Sequence, residues 1–324
     1  MNPTGRGPRV LLLCGGVGGA RMAAGYAALL PPEDLLVAVN VGDDFVHFGL
    51  AISPDLDSVM YTLAAENDAL RGWGLRDETW VTHTRVAKLG GPDWFQLGDR
   101  DLPTHLTRTA LLASGQPLSA VTTTLCAGFG VHHAVTPVTD DLVRTCVRTA
   151  KGLLDFQDYF VRQRAEPVAQ EVIYQGANDA AMAPALLRAL TQSGLEAIVI
   201  APSNPWLSIE PLLAMPALRR ALAHRTVPVI VVSPIIGGKA VKGPAAKLLA
   251  ELGRETSAWG IARHYADHGD LVDAFVLDRT DAHLQPRIEA LGMRVLCTDI
   301  LIPARDEQSR LAHELMAFVP TLPG

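Results

Sequence analysis

Six short, nearly uninterrupted apolar runs most constrain what this chain can fold into. They are Arg9 to Cys14, Leu35 to Val41, Ala197 to Ile200, Val227 to Val232, Ala274 to Leu277 and Met293 to Cys297. None alternates apolar with polar residues, so none reads as a strand with one wet face. Strands of this kind belong to a parallel sheet covered on both sides. Turn-forming residues close several of them: Gly15 to Gly19 after the first, Pro202-Ser203-Asn204-Pro205 after the third, and Ser233-Pro234 with Gly237-Gly238 after the fourth. A helix is expected from about Ala20 to Leu30, stopped by Pro31-Pro32. Strand, turn, helix and strand in that order make a parallel βαβ unit.

The middle of the chain reads differently. Asp57 to about Ala113 is helical in pattern, with Trp73, Trp80 and Trp94, and Leu142 to Val161 reads as a hairpin turning at Lys151-Gly152. The expectation is an α/β protein: a doubly wound, mainly parallel core from residues 1–57 and 166–324, with an inserted, mostly helical subdomain at 58–165. A formal charge of −6 excludes bulk attraction to nucleic acid, so any phosphate site must be a local pocket. The apolar runs are too short or too interrupted to span a membrane. The start of the chain does not read as a signal peptide, and Cys14, Cys126, Cys146 and Cys297 form no CxxC pair. A cytoplasmic protein is expected.

Two stretches carry the chemistry. Cys14-Gly15-Gly16-Val17-Gly18-Gly19-Ala20 follows a strand and precedes a helix, where bare amides and the helix dipole favour an anion. Its register is not GxGxxG, since the third glycine would fall at Arg21, and no Lys-Ser/Thr completes a Walker motif. A tight turn without ligand is the alternative. The second stretch, Val39 to Asp57, places Asp43, Asp44, Asp55 and Asp57 among glycine and proline punctuation at the end of a strand. Such carboxylates hold Mg²⁺ or accept a proton from a hydroxyl; Asp55 or Asp57 as a plain helix cap is the competing reading. Gln96-Leu97-Gly98-Asp99-Arg100-Asp101 is either a site loop or a structural ion-pair knot. Asn204 offers an amide to a base edge, and Lys239 or Lys242 a charge to phosphate. His132-His133 and the i,i+4 pair His264 and His268 read as structural or solvated, because no neighbouring glutamate completes a metalloprotease pattern.

These motifs, in this order and spacing, resemble the 2-phospho-L-lactate transferases of coenzyme F-420 biosynthesis, the CofD family. The resemblance runs through Gly15 to Ala20, Asn40 to Asp44, Ile52 to Asp57, Gly72-Trp73-Gly74, Leu97 to Asp101, Phe156 to Tyr159, Pro202 to Pro205 and Ser233 to Gly238. It implies a Rossmann-like core and an Mg²⁺-dependent phosphotransferase. The ribityl hydroxyl of the deazaflavin Fo would attack a diphospho-5'-guanosine donor that carries a phospholactyl, phosphoenolpyruvyl or phosphoglyceryl group, and GMP would leave. It further implies a homodimer and catalytic and metal-binding roles for Asp43, Asp44 and Asp57. Substrate contacts would come from Gly15, Gly16, Gly18, Gly19, Asp57, Gln96, Asp99, Arg100, Ser203, Asn204 and Lys239. Three positions depart from the family pattern. Gln96 stands where several relatives are basic, Glu210 replaces a glycine in the usual Ser-Ile-Gly-Pro run, and Trp206 adds bulk beside it. Two rivals stay open: a UDP-sugar-binding regulator with the same glycine-rich start and no transfer activity, and a NAD-type dehydrogenase, against which the glycine register argues.

Overall fold

A computed structural model describes residues 6–241 and 243–322 of the chain; Lys242 lies outside them. The central sheet has seven parallel strands: β1 (Val10–Cys14), β2 (Leu35–Val39), β3 (Ala134–Pro137), β4 (Ala197–Ile200), β5 (Val229–Val232), β6 (Ala274–Asp278) and β7 (Arg294–Thr298). Across the sheet they run β7-β6-β5-β4-β1-β2-β3. From β1 the chain therefore winds outward in one direction to β3, then returns to β4 on the other side and winds outward again. This is the doubly wound α/β order, and its reversal between β1 and β4 opens a crevice at their carboxyl ends. Strands β1, β2, β4, β5 and β6 are buried along their whole length, as the apolar runs predicted. Truncating one of these side chains, such as Leu12 (fully buried), costs about 2–5 kcal/mol.

Helix α1 spans Gly16–Leu29 and starts four residues before the expected position. The first turn of the helix absorbs the glycines that the sequence suggested were a loop. The reason is close packing: a Cβ on Gly18 would sit 2.2 Å from the Pro202 carbonyl oxygen, so only glycine lets this turn lie on the β4 loop. Helix α2 spans Pro54–Leu63, with proline in its first turn.

The segment 58–165 does not form a single inserted unit. Strand β3 lies within it and pairs with β2 at the edge of the central sheet. One excursion, between β2 and β3, holds the hairpin Phe45–His47/Leu50–Ile52, then α2, α3 (Val81–Lys88), α4 (Leu102–Ala113) and α5 (Leu118–Gly128). A second, after β3, holds an antiparallel three-stranded sheet of Gly152–Asp155, Arg144–Thr149 and Glu171–Gln175. The expected hairpin is present there, but its return strand ends at Asp155 and gives way to a π-type turn over Asp158–Arg162. The sheet's third strand lies beyond residue 165. Strand β3 escapes a sequence reading because it is four residues long and ends in proline, which an edge strand tolerates.

Candidate active site

The carboxyl ends of β1, β2 and β4 meet at the crevice. After β1, the Gly15 amide donates to Ser203 Oγ (3.2 Å), and Ser203 Oγ donates back to the Gly15 carbonyl (2.7 Å). After β2, Asn40 is fully buried and acts as a hub. Its Nδ2 donates to Asp55 Oδ2 (3.0 Å), Asp43 Oδ1 (3.4 Å) and the Leu207 carbonyl (3.2 Å), while its Oδ1 accepts from the Gly42 amide (2.8 Å). A single side chain thus joins the β2 loop, the start of α2 and the β4 loop. Gly15 has no room for a side chain, because a Cβ there would fall 2.2 Å from Asp55 Oδ2.

Around this hub Asp43, Asp44, Asp55 and Asp57 are all buried. Burial, then the charges of Asp55 and Asp44, raises the Asp43 carboxyl well above its usual range. Burial pushes Asp44 up to about 7, against the Ser53 hydrogen bond and the charges of Arg108 and Arg144. Burial also pushes Asp55 up to about 6, although Asn40, the Gly16 amide and Asp43 all hydrogen-bond to it. Asp57 is raised by burial and held back by Arg108 and His105. Ser53 Oγ donates to Asp44 Oδ2 (2.8 Å), and the almost fully buried Arg108 on α4 pairs with Asp57 Oδ1. Two buried oxygens, Asp44 Oδ1 and Asp57 Oδ2, accept no hydrogen bond. Desolvated carboxylates with two spare oxygens and too few cations offer the oxygen donors that a hard divalent ion takes.

The other expected site residues are placed as follows. Gly16 opens α1, and Gly18 and Gly19 lie in its first turn against the β4 loop. Asn204 Oδ1 caps the turn after β4 by accepting from the amides of Trp206 (3.1 Å) and Leu207 (3.3 Å), while its buried Nδ2 has no partner. Asp99 accepts from Thr79 Oγ1 (2.5 Å) and the amides of Val81 (2.8 Å) and Thr82 (2.9 Å) at the start of α3. The Thr79 and Thr82 hydrogen bonds hold its carboxyl well below the usual range. Arg100 donates to the Arg76 carbonyl (3.1 Å). Gln96 is exposed, next to an aromatic cluster in which Phe95 stands 4.7 Å from Phe45 and Trp94 stands 5.2 Å from His47. Lys239 is exposed on a two-residue strand. Just before it, Gly237 and Gly238 line a 560 Å³ cavity with Glu255, Ser257, Thr280, Asp281, His283, Leu284 and Arg287.

The family model of 2-phospho-L-lactate transferase CofD matches residues 10–302. The chain belongs to the CofD family. A phosphoenolpyruvate transferase of Streptomyces griseus is 40% identical over 313 residues, covering 95% of this chain and 97% of the relative. A 2-phospho-L-lactate transferase of Methanosarcina mazei is 36% identical over 304 residues, covering 94% and 98%. Among solved structures, a member of the UPF0052 family from Bacillus halodurans superposes with a TM-score of 0.64 at 12% identity, covering 96% of this chain and 99% of that one. That likeness concerns the fold alone. Among the described residues, no helix is long and apolar enough to cross a membrane.

Several buried groups of this CofD-family transferase are absent from the expected site set. Asn40 and Asp55 sit inside the quoted motifs, yet only the fold shows them to be central. Arg108 and His105 lie on one face of α4, with Asp101 immediately before its first residue. His105 Nε2 is 3.1 Å from Asp101 Oδ2 and its Nδ1 is 3.8 Å from Asp57 Oδ2. Their i,i+3 and i,i+4 spacing was the available signal. Glu210 is the third case. His264 and His268 are not solvated but face its carboxylate, with both Nε2 atoms at Oε1, at 2.7 and 2.6 Å.

Proposed function

We propose that this CofD-family transferase moves a phosphoenolpyruvyl group from a diphospho-5'-guanosine donor to the ribityl hydroxyl of the deazaflavin Fo, with Mg²⁺, releasing GMP. The observation that carries this reading is the buried, under-compensated carboxylate cluster around Asn40, at the switch point of the sheet. The choice of the phosphoenolpyruvyl group is supported by the relatives: the Streptomyces griseus protein named for that group is 40% identical and the Methanosarcina mazei protein named for phospholactate 36%.

In this reading Asp43, Asp44 and Asp55 would hold Mg²⁺, which supplies charge neutralisation at the donor's diphosphate. Asp57 takes a different role because Arg108 already compensates one of its oxygens. Its Oδ2, which accepts no hydrogen bond and lies 3.8 Å from His105 Nδ1, would accept the proton of the attacking hydroxyl. The hydroxyl oxygen bonds to the phosphorus bearing the enolpyruvyl group. The phosphorus–oxygen bond to GMP breaks, and GMP leaves with the bonding pair. The Gly15 and Gly16 amides are taken by Ser203 and Asp55, so the leaving nucleotide would be met by the dipole at the start of α1 and by the unpartnered Asn204 Nδ2. The aromatic cluster of Phe45, Trp94 and Phe95 offers a wall for the flat deazaflavin ring.

The test is mass spectrometry of products from Fo and each of the three candidate donors, with Mg²⁺. The expected product is the phosphoenolpyruvyl adduct of Fo with stoichiometric GMP. A phospholactyl or phosphoglyceryl product formed faster would overturn the donor assignment. No product from any donor, with Fo absorbance unchanged on mixing, would overturn the transfer reading in favour of a binding protein.

A further inference from the structure

We propose that Glu210, His264 and His268 form a binding site for one divalent transition-metal ion of the zinc class, which ties the β4 loop to the helix Ala258–Ala266. The three residues offer ligand atoms that all lie within 4.8 Å of one another. His264 and Glu210 are buried and His268 is half-buried. The two imidazole rings stand at 89° to each other with centroids 5.5 Å apart, and both point Nε2 at the same carboxylate oxygen. Two nitrogens and an oxygen converging from different directions are the donor set that zinc-class ions take, with further positions left for water. The Trp206 ring, 4.8 Å from His264, walls one side against solvent. This inference shares no residue with the carboxylate cluster and does not rest on the transfer reading.

The competing account is a plain hydrogen-bonded network, and Arg219 separates the two. Its Nη2 is 2.8 Å from His268 Nδ1. An arginine only donates, so in this state Nδ1 accepts and Nε2–H is given to Glu210. A metal at Nε2 requires the proton on Nδ1, and the exposed Arg219 must then turn away. Arg219 therefore opposes metal binding, and removing it strengthens binding. The consequence for the fold is local. Glu210 begins the short helix Glu210–Leu213, directly after the loop whose Ser203 holds Gly15 and whose Leu207 carbonyl receives Asn40. An ion at Glu210 would fix the far end of that loop.

The experiment uses full-length protein stripped with chelator and titrated with Zn²⁺ against a chromogenic chelator, alongside thermal unfolding with and without Zn²⁺. The wild type is expected to take up one equivalent per chain and to melt higher with Zn²⁺. Glu210→Gln and His268→Ala lose both effects, and Arg219→Ala binds more tightly than wild type. Should Glu210→Gln fail to fold, the half-buried His268→Ala carries the test. Absence of a stoichiometric equivalent in the wild type overturns the proposal. So does an equivalent that survives both variants and disappears in Asp44→Asn, since that ion would sit in the carboxylate cluster.

Discussion

Two acidic groups of this protein share a composition and differ in everything that decides chemistry. Asp43, Asp44, Asp55 and Asp57 are buried, their carboxyls pushed upward, and two oxygens among them have no partner. Asp99, three residues after Gln96, is held far below the usual range by hydroxyl and amide donors at the start of α3. The lesson is that a carboxylate becomes available for a cation or a proton when burial leaves its charge uncompensated. A carboxylate whose oxygens are all spoken for is part of the scaffold.

Asp57→Ala gives the largest effect that this comparison predicts, and it has two parts. Transfer by the folded protein falls by about 10²- to 10⁴-fold, the usual range for loss of a positioned acid or base. The change is not neutral for folding. It strands the Arg108 guanidinium in the interior, which costs about 3–5 kcal/mol. Denaturant midpoints and turnover below them separate the two parts. Near-normal turnover of the folded variant would reduce Asp57 to a counterion for Arg108.

The second prediction concerns the metal. Excess chelator abolishes transfer, and magnesium restores it. Ser53→Ala removes the donor to Asp44 and weakens activation by magnesium by about 10- to 100-fold, the range seen when an outer partner of a ligand is lost. A magnesium titration of initial rates reads this directly, and an unchanged midpoint would separate Asp44 from the ion.

How much of this was legible from the residues follows from what each signal depends on. The six predicted strands were readable because continuous apolar runs need only local sequence. Strand β3 was not, because four residues ending in proline look like loop until β2 is found beside them. Asp43, Asp44 and Asp57 stood out by density in one stretch. Arg108 did not, because Leu-Thr-Arg-Thr within a helix reads as a wet face until tertiary packing buries it. Glu210 was visible only as a departure from the family pattern, and its histidines lie 54 and 58 residues further along the chain.

A pH series sharpens the same contrast with a smaller effect. A carboxyl whose folded value lies above its unfolded value binds its proton more tightly in the folded state. Stability of the metal-free protein therefore falls as pH rises from the ordinary aspartate value of 3.8 to about 7 for Asp44 and to about 6 for Asp55. Saturating magnesium binds the charged form and flattens that fall. Thermal midpoints at several pH values, with chelator and with magnesium, measure it. A midpoint that rises with pH over this interval in chelator would show that the cluster is compensated after all.

Asp99→Asn is the smallest of the expected effects and the sharpest test of the comparison. The amide retains one oxygen as an acceptor and loses the charge that complements the α3 amino end, so the thermal midpoint falls modestly. Its pH signature has the opposite sign to that of the cluster. A carboxyl held below its unfolded value stabilises above that value and loses its contribution as pH falls toward the folded value. The deficit of the variant against wild type should thus be present at neutral pH and close on acidification below the ordinary value of 3.8. Turnover and the magnesium midpoint stay at their wild-type levels. A large loss of turnover without a change in thermal midpoint would make Asp99 a substrate contact, and the two acidic groups would then be parts of one site.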